Sequence, residues 1–491
     1  MPPLSVPESF VLVLAACAPC FTAPTYRVFC HLVAGWLHCP GRHTVTGVAV
    51  AAGAGVVGWR HVSAFHRFFG RAKWEPDALG KVVFALALRV LPVAGPLVVL
   101  VDDSLARKAG KAIALGSMHH DPLLSSRHRP FSRFGHVWVV VALWLPLPFG
   151  VVGGPRGVAL PLVFRLFVGS RRGKRRDAHA RARATSGTRY ARARAAFPAD
   201  PTQRPTKPAL AREAVAVVAG WAAALAPGRT VYVGGDSAYV NRTTIEDRPA
   251  NVEVLGPLHP AAALFAPPPP RAKGQRGRPR AKGAQRPSPT AQAQARRPDT
   301  WHRLPVTLYG RRVAPLVFRG TALWYRVLRT APVRYVVVRD PSGHRKDAAF
   351  CCTDRTVSVV FLLETYAKRW TLEVTFWLLK GWLGFEEPQN QTATAVRRTA
   401  PFAGLVFALT VLWYARELQA GRAASWRVQP WYRRKAAPSF ADVLAILRQQ
   451  GLTTAAATSH ARPATFLPPP CPHQRRQNSR RARHLSEAAT A

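Results

Sequence analysis

The sequence predicts an α/β fold, with helices packed around a sheet of buried strands. Two short apolar, β-branched runs, 96–103 and 230–236, each end in aspartate. Such runs are typical of buried strands that deliver an acidic side chain to the edge of a sheet. A third stretch, 366–380, has the spacing of an amphipathic helix with one apolar face. Strand-like and helix-like segments in one chain favour a mixed α/β architecture.

We divide the chain into five regions by pattern and composition. Residues 1–95 are interpreted as a helical N-terminal DNA-binding domain, with helix-turn-helix candidates at 44–53 and 61–69. The first part of the α/β core is assigned to 96–255 and contains a basic low-complexity loop at 170–208. A Pro/Arg-rich linker and a β-rich antiparallel insertion follow at 256–355. The second part of the core, with the Glu373 helix, is assigned to 356–420, and a C-terminal region with a basic disordered tail to 421–491.

Further elements are predicted within these regions. Strands are predicted at 136–145, 158–168 and 252–255, and in the insertion at 304–309, 316–318, 323–329 and 334–339. Helices are predicted at 76–91, 210–225, 237–245 and 401–416. The stretches 170–208 and 267–298 lack a core-forming pattern, so we expect them to be mobile.

The balance of charge indicates a polyanionic partner. Lys and Arg number 70 against 24 Asp and Glu, which gives a formal net charge of +46. A charge of this size fits a nucleic-acid-binding protein better than an enzyme of small molecules. A GC-rich genome also favours Arg and Ala codons, but it does not explain the scarcity of acidic residues. A basic structural RNA-binding protein has no reason to place aspartates at strand ends.

Neither export nor membrane insertion is predicted. The apolar first forty residues lack a basic start, and the apolar stretch 137–154 is broken by Pro146, Pro148 and paired glycines. A cytoplasmic, nucleoid-associated location is therefore expected. Seven cysteines give no secreted disulfide framework. Four of them lie near the start, and two interpretations stay open for them, a structural zinc site and buried thiols: Cys17, Cys20, Cys30 and Cys39.

The stretch 366–380 carries the most specific pattern. At 100° per residue, one narrow stripe holds five residues: Tyr366, Arg369, Glu373, Trp377 and Lys380. A carboxylate between two cations suits a phosphate substrate, because the carboxylate can hold a metal and the cations can hold anionic oxygens. Two further carboxylates come from the strand ends, Asp236 and either Asp103 or its neighbour Asp102. Three convergent carboxylates suit two divalent cations that promote phosphoryl transfer.

The spacing Tyr366-x2-Arg369-x3-Glu373-x6-Lys380 resembles the YREK signature of DDE transposases from bacterial insertion sequences, in the IS-four-like branch. The segments 101–104 and 235–239 resemble those that carry the two catalytic aspartates of that family. The resemblance implies an RNase H-like catalytic core with a β-rich insertion. It also implies that a metal-activated water cuts DNA at the element ends and that the freed 3′-hydroxyl attacks target DNA.

The resemblance implies that Asp103, Asp236 and Glu373 are the catalytic residues and bind Mg²⁺, with Mn²⁺ as an alternative. Asp103 is preferred to Asp102 because the metal ligand of the family directly precedes the hydroxyl residue, which is Ser104 here. Asp102 is then expected either to support the ligand without binding the metal or to point to the other face of the strand, and Ser104 to support the ligand.

The resemblance also assigns DNA contacts near the cleaved end to Tyr366, Arg369 and Lys380. The implied partners are double-stranded DNA, as inverted-repeat ends and as target, and a second copy of the chain in the DNA complex. The polar segments 108–111 and 119–121 are candidate DNA or active-site contacts, or a polar loop at the sheet edge. Two alternatives stay open: an RNase H-like nuclease that does not join DNA, and a non-catalytic DNA-binding protein derived from a transposase.

Overall fold

The computed structural model describes residues 6–55, 61–110, 112–121, 124–126, 128–147, 157–168, 204–271, 276–426, 428–431, 433, 435 and 437–458. Its helices are α1 (Glu8–Ala15), α2 (Ala23–His38), α3 (Val45–Ala51), α4 (Ser63–Gly70), α5 (Pro76–Leu88), α6 (Lys207–Leu225), α7 (Arg242–Ile245), α8 (Pro289–Ala295), α9 (Tyr325–Leu328), α10 (Val359–Ala367), α11 (Trp370–Trp382), α12 (Ala393–Gln419) and α13 (Phe440–Thr458).

The strands belong to one large sheet and one small hairpin. They are β1 (Leu97–Arg107), β2 (Ser117–His120), β3 (Ser132–Leu145), β4 (Val158–Phe167), β5 (Val231–Gly235), β6 (Val252–Leu258), β7 (Leu264–Phe265), β8 (Gln285–Arg286), β9 (His302–Arg303), β10 (Val306–Leu308), β11 (Arg311–Val313), β12 (Leu316–Leu323), β13 (Pro332–Arg339) and β14 (Ala348–Cys352). The hairpin pairs β10 with β11.

The centre of the large sheet combines an antiparallel and a parallel half. Strands β4, β3 and β1 are neighbours and run antiparallel. Strands β1, β5 and β6 follow in parallel order, with α6 connecting β4 to β5. The long β-branched runs of β1 and β3 are buried, as is typical of strands covered on both faces.

The inserted strands extend the same sheet. β14 pairs antiparallel with β6, and β13, β12, β7 and β8 follow in order, with β9 also paired to β12. Helix α10 lies across the junction between the two parts. Its Phe361 ring contacts Tyr232 of β5 and its Tyr366 ring contacts Phe350 of β14, with ring centroids 4.8 Å apart in both pairs.

The N-terminal helices share a core with α12. Phe402 of α12 lies edge-on to Phe29, Phe68 and Phe69 within a cluster of buried aromatic rings. Arg398 is buried and donates to the carbonyl oxygens of Ala72 and Trp74 at 2.7 Å each, which satisfies polar groups at the end of α4. The helical N-terminal region is therefore packed directly against the second part of the core.

Two of the described helices, α6 and α12, are long and apolar enough to cross a membrane. In α12, 94% of the apolar stretch is buried inside the protein, and in α6 39% is buried. Both helices pack against β4. Helices that cover a sheet pass the same test of length and composition, so these two are weak evidence for a membrane span.

Several predicted elements differ from the structure. The strand predicted to end at Asp102 and Asp103 continues to Arg107, because β3 still pairs with it after β5 has ended. The single helix predicted over 366–380 is two helices, since Lys368 and Arg369 form a turn between α10 and α11. The strand predicted at 323–329 ends at Leu323 and is followed by α9.

Other differences concern regions expected to lack structure. The stretch 267–298 contains β8 and α8 in its described part, and Ala293 of α8 is buried. The predicted helix at 237–245 is helical only over α7. The C-terminal region contributes α13, which buries Phe440 and Leu447 against α2 and α12. The basic loop up to residue 203 and the tail from 459 lie outside the described residues.

The early cysteines are buried thiols. Cys17, Cys30 and Cys39 are buried and Cys20 is half-buried, and all four are free. Burial raises the pKa of Cys17 far above its usual range, which disfavours the thiolate that a metal needs. Among the described residues, no group of three His, Cys, Asp or Glu side chains is placed to hold a metal. The zinc hypothesis therefore has no support in this part of the chain.

Candidate functional site

Two aspartates lie side by side where neighbouring parallel strands separate. The ladder between β1 and β5 ends at the pair Val101 and Gly235. Asp102 is the next residue of β1, and Asp236 directly follows the last residue of β5. The backbone N–H of Ala238 donates to Asp236 Oδ1 at 2.9 Å and fixes that carboxylate at the start of a turn. The end of the parallel ladder therefore brings two carboxylates to the same end of two neighbouring strands.

Asp102 is the buried member of this pair. Its side chain is 15% exposed, and burial raises its pKa to about 7. Arg369 and the backbone N–H of Asp103 act in the opposite direction, whereas the carboxylates of Asp236 and Asp103 add to the rise. A carboxyl with these neighbours binds a proton more readily than an exposed aspartate does.

Arg369 joins Asp102 to Glu373. Its Nη1 lies 2.6 Å from Asp102 Oδ2 and its Nη2 lies 2.7 Å from Glu373 Oε1. Arg369 stands in the turn before α11, and Glu373 lies one helical turn later, so the guanidinium reaches back to both carboxylates. The first helical turn also favours a negative side chain such as Glu373. One guanidinium therefore bridges β1 and α11.

Asp103 lies on the opposite face of the sheet from Asp102. Successive strand residues point to opposite faces. Asp103 Oδ1 accepts a hydrogen bond from the Tyr239 hydroxyl at 2.6 Å, and Oδ2 lies 2.7 Å from Lys207 Nζ at the start of α6. The structure thus brings Asp102, rather than Asp103, together with Glu373.

The other residues predicted for the site have defined partners. The Tyr366 ring lies 5.9 Å from the Arg369 guanidinium carbon, beside the same carboxylates. Lys380 Nζ donates to the Leu105 carbonyl of β1 at 2.7 Å and lies 3.3 Å from Glu386 Oε1. Ser104 is buried next to the aspartates in β1. Lys380 therefore connects α11 to β1 in addition to its expected role toward DNA.

One side chain from each of the polar segments 108–111 and 119–121 is held by contacts within the protein. Lys108 Nζ donates to the carbonyl oxygens of Glu386 and Pro388 at 2.8 and 3.1 Å. Burial lowers the pKa of Lys108 to about 8. His119 contacts Ser117 Oγ at 2.8 Å, and burial lowers its pKa to about 4. Both side chains serve contacts within the protein.

The donor chemistry of the site fits a divalent cation. Carboxylate oxygens are the ligands that Mg²⁺ and Mn²⁺ prefer, and Asp102, Asp236 and Glu373 supply them. No three such side chains in the described part of the chain are arranged to hold one ion together. Arg369 already supplies positive charge between Asp102 and Glu373.

Sequence reasoning missed two contributors to the site. Lys207 follows a long Arg-rich stretch and reads as one more solvated cation, although it contacts Asp103. Glu386 follows α11 and binds both the backbone N–H of Arg107, at 3.2 Å, and Lys380. Only the scarcity of acidic residues marks Glu386 in the sequence.

Carboxylates gathered at a sheet edge in a strongly basic chain are typical of enzymes that act on phosphodiesters. The chain belongs to the DDE superfamily endonucleases, whose family model matches residues 17–314, more than half of its length. Membership indicates a soluble protein of nuclease or transposase type with DNA as substrate, from a superfamily that typically uses divalent metals. The match covers Asp102, Asp103 and Asp236 and ends before Glu373. No curated protein matches the chain.

Proposed function

We propose that this protein is a transposase that cuts DNA at the ends of an insertion sequence and joins those ends to target DNA. The observation that carries the proposal is the bridge from Asp102 through Arg369 to Glu373, beside Asp236. Glu373, from outside the matched region, thus shares one guanidinium with Asp102, which lies within that region. The net charge of +46 supplies attraction for the DNA backbone.

The order of the strands supports an RNase H-like core. Three antiparallel strands, β4, β3 and β1, continue into the parallel strands β5 and β6, and helices cover both faces. In this interpretation the insertion lies between the second aspartate and the glutamate, and a helical N-terminal domain packs on the core. The division at residues 95, 255, 355 and 420 remains part of the proposal.

We assign metal binding to Asp102, Asp236 and Glu373. Asp102 replaces Asp103 in this assignment because only Asp102 faces Arg369 and Glu373, while both oxygens of Asp103 are engaged on the other face. Bound Mg²⁺ or Mn²⁺ supplies activation of the attacking hydroxyl and stabilisation of the leaving oxygen. Arg369 lowers the pKa of the buried Asp102 against the larger, opposite effect of burial, and so favours the charged form of this carboxyl.

The DNA contacts follow from the surface around Glu373. Trp370 and Trp377 on α11 are 46% and 59% exposed, and exposed indole rings can stack on bases. Arg369 carries a planar donor fork that matches a phosphate, and Tyr366 lies beside it. This arrangement, with Lys380, supports the YREK branch. Because each reaction uses two element ends, we propose a homodimer in the DNA complex. We also propose that the protein is nucleoid-associated.

The test uses labelled linear DNA that carries the sequences flanking the gene, with a plasmid target and Mg²⁺ or Mn²⁺. Wild type is expected to cut at the element ends and to join them. Asp102→Asn and Glu373→Gln are expected to reduce both steps to background. Asp354→Asn is the matched control, because its carboxylate accepts the Tyr232 hydroxyl away from the site.

Each other outcome has a defined meaning. Full cleavage by Asp102→Asn contradicts the metal-ligand assignment. Cleavage without joining by wild type supports the nuclease alternative. Binding of the end DNA without cleavage, with either metal, supports the non-catalytic alternative.

A further inference from the structure

Asp103 forms its own hydrogen-bonded cluster on the face of the sheet opposite Arg369. Its two oxygens are both engaged, one by the Tyr239 hydroxyl at 2.6 Å and the other by Lys207 Nζ at 2.7 Å. The Tyr239 side chain is 2% exposed, so this hydroxyl has lost most contact with water. Burial raises the pKa of Tyr239 well above its usual range, and the Asp103 carboxylate adds to this rise. The hydroxyl therefore remains a donor at any working pH.

Tyr239 belongs to the turn that holds Asp236. The backbone N–H groups of Tyr239 and Val240 both donate to the Asp236 carbonyl at 3.0 Å. The turn is tight against the end of β5, since a Cβ on Gly235 would lie 2.9 Å from the Tyr239 Cβ. Glycine at 235 thus allows Tyr239 to fold back toward β1. A movement of Tyr239 would move Asp236 with it.

The two ends of this contact lie next to two proposed metal ligands. Asp103 directly follows Asp102 in β1, and Tyr239 follows Asp236 by one turn. The strand ladder itself ends at Val101 and Gly235, so no backbone pairing between β1 and β5 continues to the aspartates. The hydrogen bond between Asp103 and Tyr239 connects β1 directly to the turn that follows β5.

We propose that Asp103 and Tyr239 form a clasp that sets the distance between Asp102 and Asp236, and that Asp103 is a positioning residue rather than a metal ligand. This inference rests on the proposed function, because it concerns the ligands assigned there. Without the clasp the carboxylates of Asp102 and Asp236 are still present, but the distance between them is no longer fixed. Metal binding is then weakened without being abolished. Residues that orient ligands in this way typically contribute about 10–100-fold to affinity or activity.

The experiment measures Mn²⁺ binding to the full chain by electron paramagnetic resonance of the free ion, without DNA. Tyr239→Phe and Asp103→Asn are each expected to weaken binding about 10–100-fold. The double variant is expected to bind Mn²⁺ no more weakly than the weaker-binding single variant, since both substitutions remove the same hydrogen bond. Tyr232→Phe is the matched control, because the Tyr232 hydroxyl, in β5, also donates to a carboxylate, that of Asp354 at 2.5 Å, which lies away from the site.

The outcomes separate the clasp from the proposed function. Failure of wild type to bind Mn²⁺ or to cut DNA overturns the proposed function. Where wild type binds and cuts, equal Mn²⁺ affinities for Tyr239→Phe and Tyr232→Phe overturn the clasp. Complete loss of binding in Asp103→Asn, equal to that in Asp102→Asn, also overturns it and makes Asp103 a ligand. Thermal melts of each variant without metal identify any loss that comes from unfolding.

Discussion

Replacing Arg369 by glutamine removes the cation held between Asp102 and Glu373 and keeps a polar side chain. The Arg369 and Asp102 side chains are only 17% and 15% exposed, so their ion pair is largely buried. Removing one partner of a buried pair costs about 3–5 kcal/mol, because the other charge is left without compensation. Glu373 is 35% exposed, and solvent screening makes its contribution small. We therefore expect Arg369→Gln to lose about 3 kcal/mol of stability in EDTA.

Divalent cations should restore much of this loss. In wild type a cation competes with Arg369 for Asp102 and Glu373, whereas in Arg369→Gln those carboxylates have no competing cation. A ligand at 100 times its Kd stabilises the folded state by about 2.7 kcal/mol. Thermal unfolding in EDTA and in Mg²⁺ at pH 7.5 measures both effects. Mg²⁺ is expected to raise the Tm of Arg369→Gln more than that of wild type.

Arg165→Gln provides a matched control. Arg165 also lies between two carboxylates, 2.7 Å from Asp77 and 2.9 Å from Glu213, and is likewise 17% exposed. Its replacement is expected to destabilise the protein without any special rescue by Mg²⁺. Equal Mg²⁺ shifts in Arg369→Gln and Arg165→Gln, or an unchanged Tm of Arg369→Gln in EDTA, would refute this reasoning.

Two further predictions concern stability away from the carboxylates. Burial lowers the pKa of His136 to about 3, so between pH 6.5 and 3 the unfolded state takes up a proton that the folded state refuses, and stability falls as the pH falls. Melts followed by circular dichroism should show His136→Gln to be less acid-sensitive than wild type, and equal sensitivity contradicts this. Gly80→Ala would place a Cβ 2.2 Å from the Leu162 carbonyl oxygen and should cost about 1–3 kcal/mol in urea unfolding, whereas Gly220→Ala, with open space around it, should not.

The sequence predicts the buried strands well and their ends poorly. β-branched apolar runs mark β1 and β5, because such side chains need burial on both faces. The end of β1 could not be predicted, since it depends on β3 continuing beyond the point where β5 stops. The run at 323–329 is apolar enough for a strand, but after Trp324 the chain turns into α9, and periodicity alone does not separate these cases in short segments.

The choice between Asp102 and Asp103 shows a similar limit. Strand alternation predicts that the two side chains face opposite ways. Which face receives α11 depends on the packing of residues more than 260 positions later, as the contact between Arg369 and Asp102 shows. The spacing of Arg369 and Glu373, by contrast, is local, and their predicted placement on one helical stripe agrees with the ion pair between them. The candidate site was thus predictable in its residue types and less so in its geometry.

The position of α10 across the seam between β6 and β14 limits how this chain can be redesigned. Phe361 contacts the core strand β5 edge-on and Tyr366 contacts the inserted strand β14, so the helix that leads to Arg369 is packed against both parts of the sheet. A variant that excised the insertion at β14 would remove half of that support and expose the outer edge of β6. Foreign sequence is better accommodated at the far end of the sheet, around β7 and β8, because in the described part of the chain these strands pair with β12 and with each other. The inserted strands thus support α10, which leads into the Glu373 helix α11. Lengthening these strands is therefore safer than shortening them.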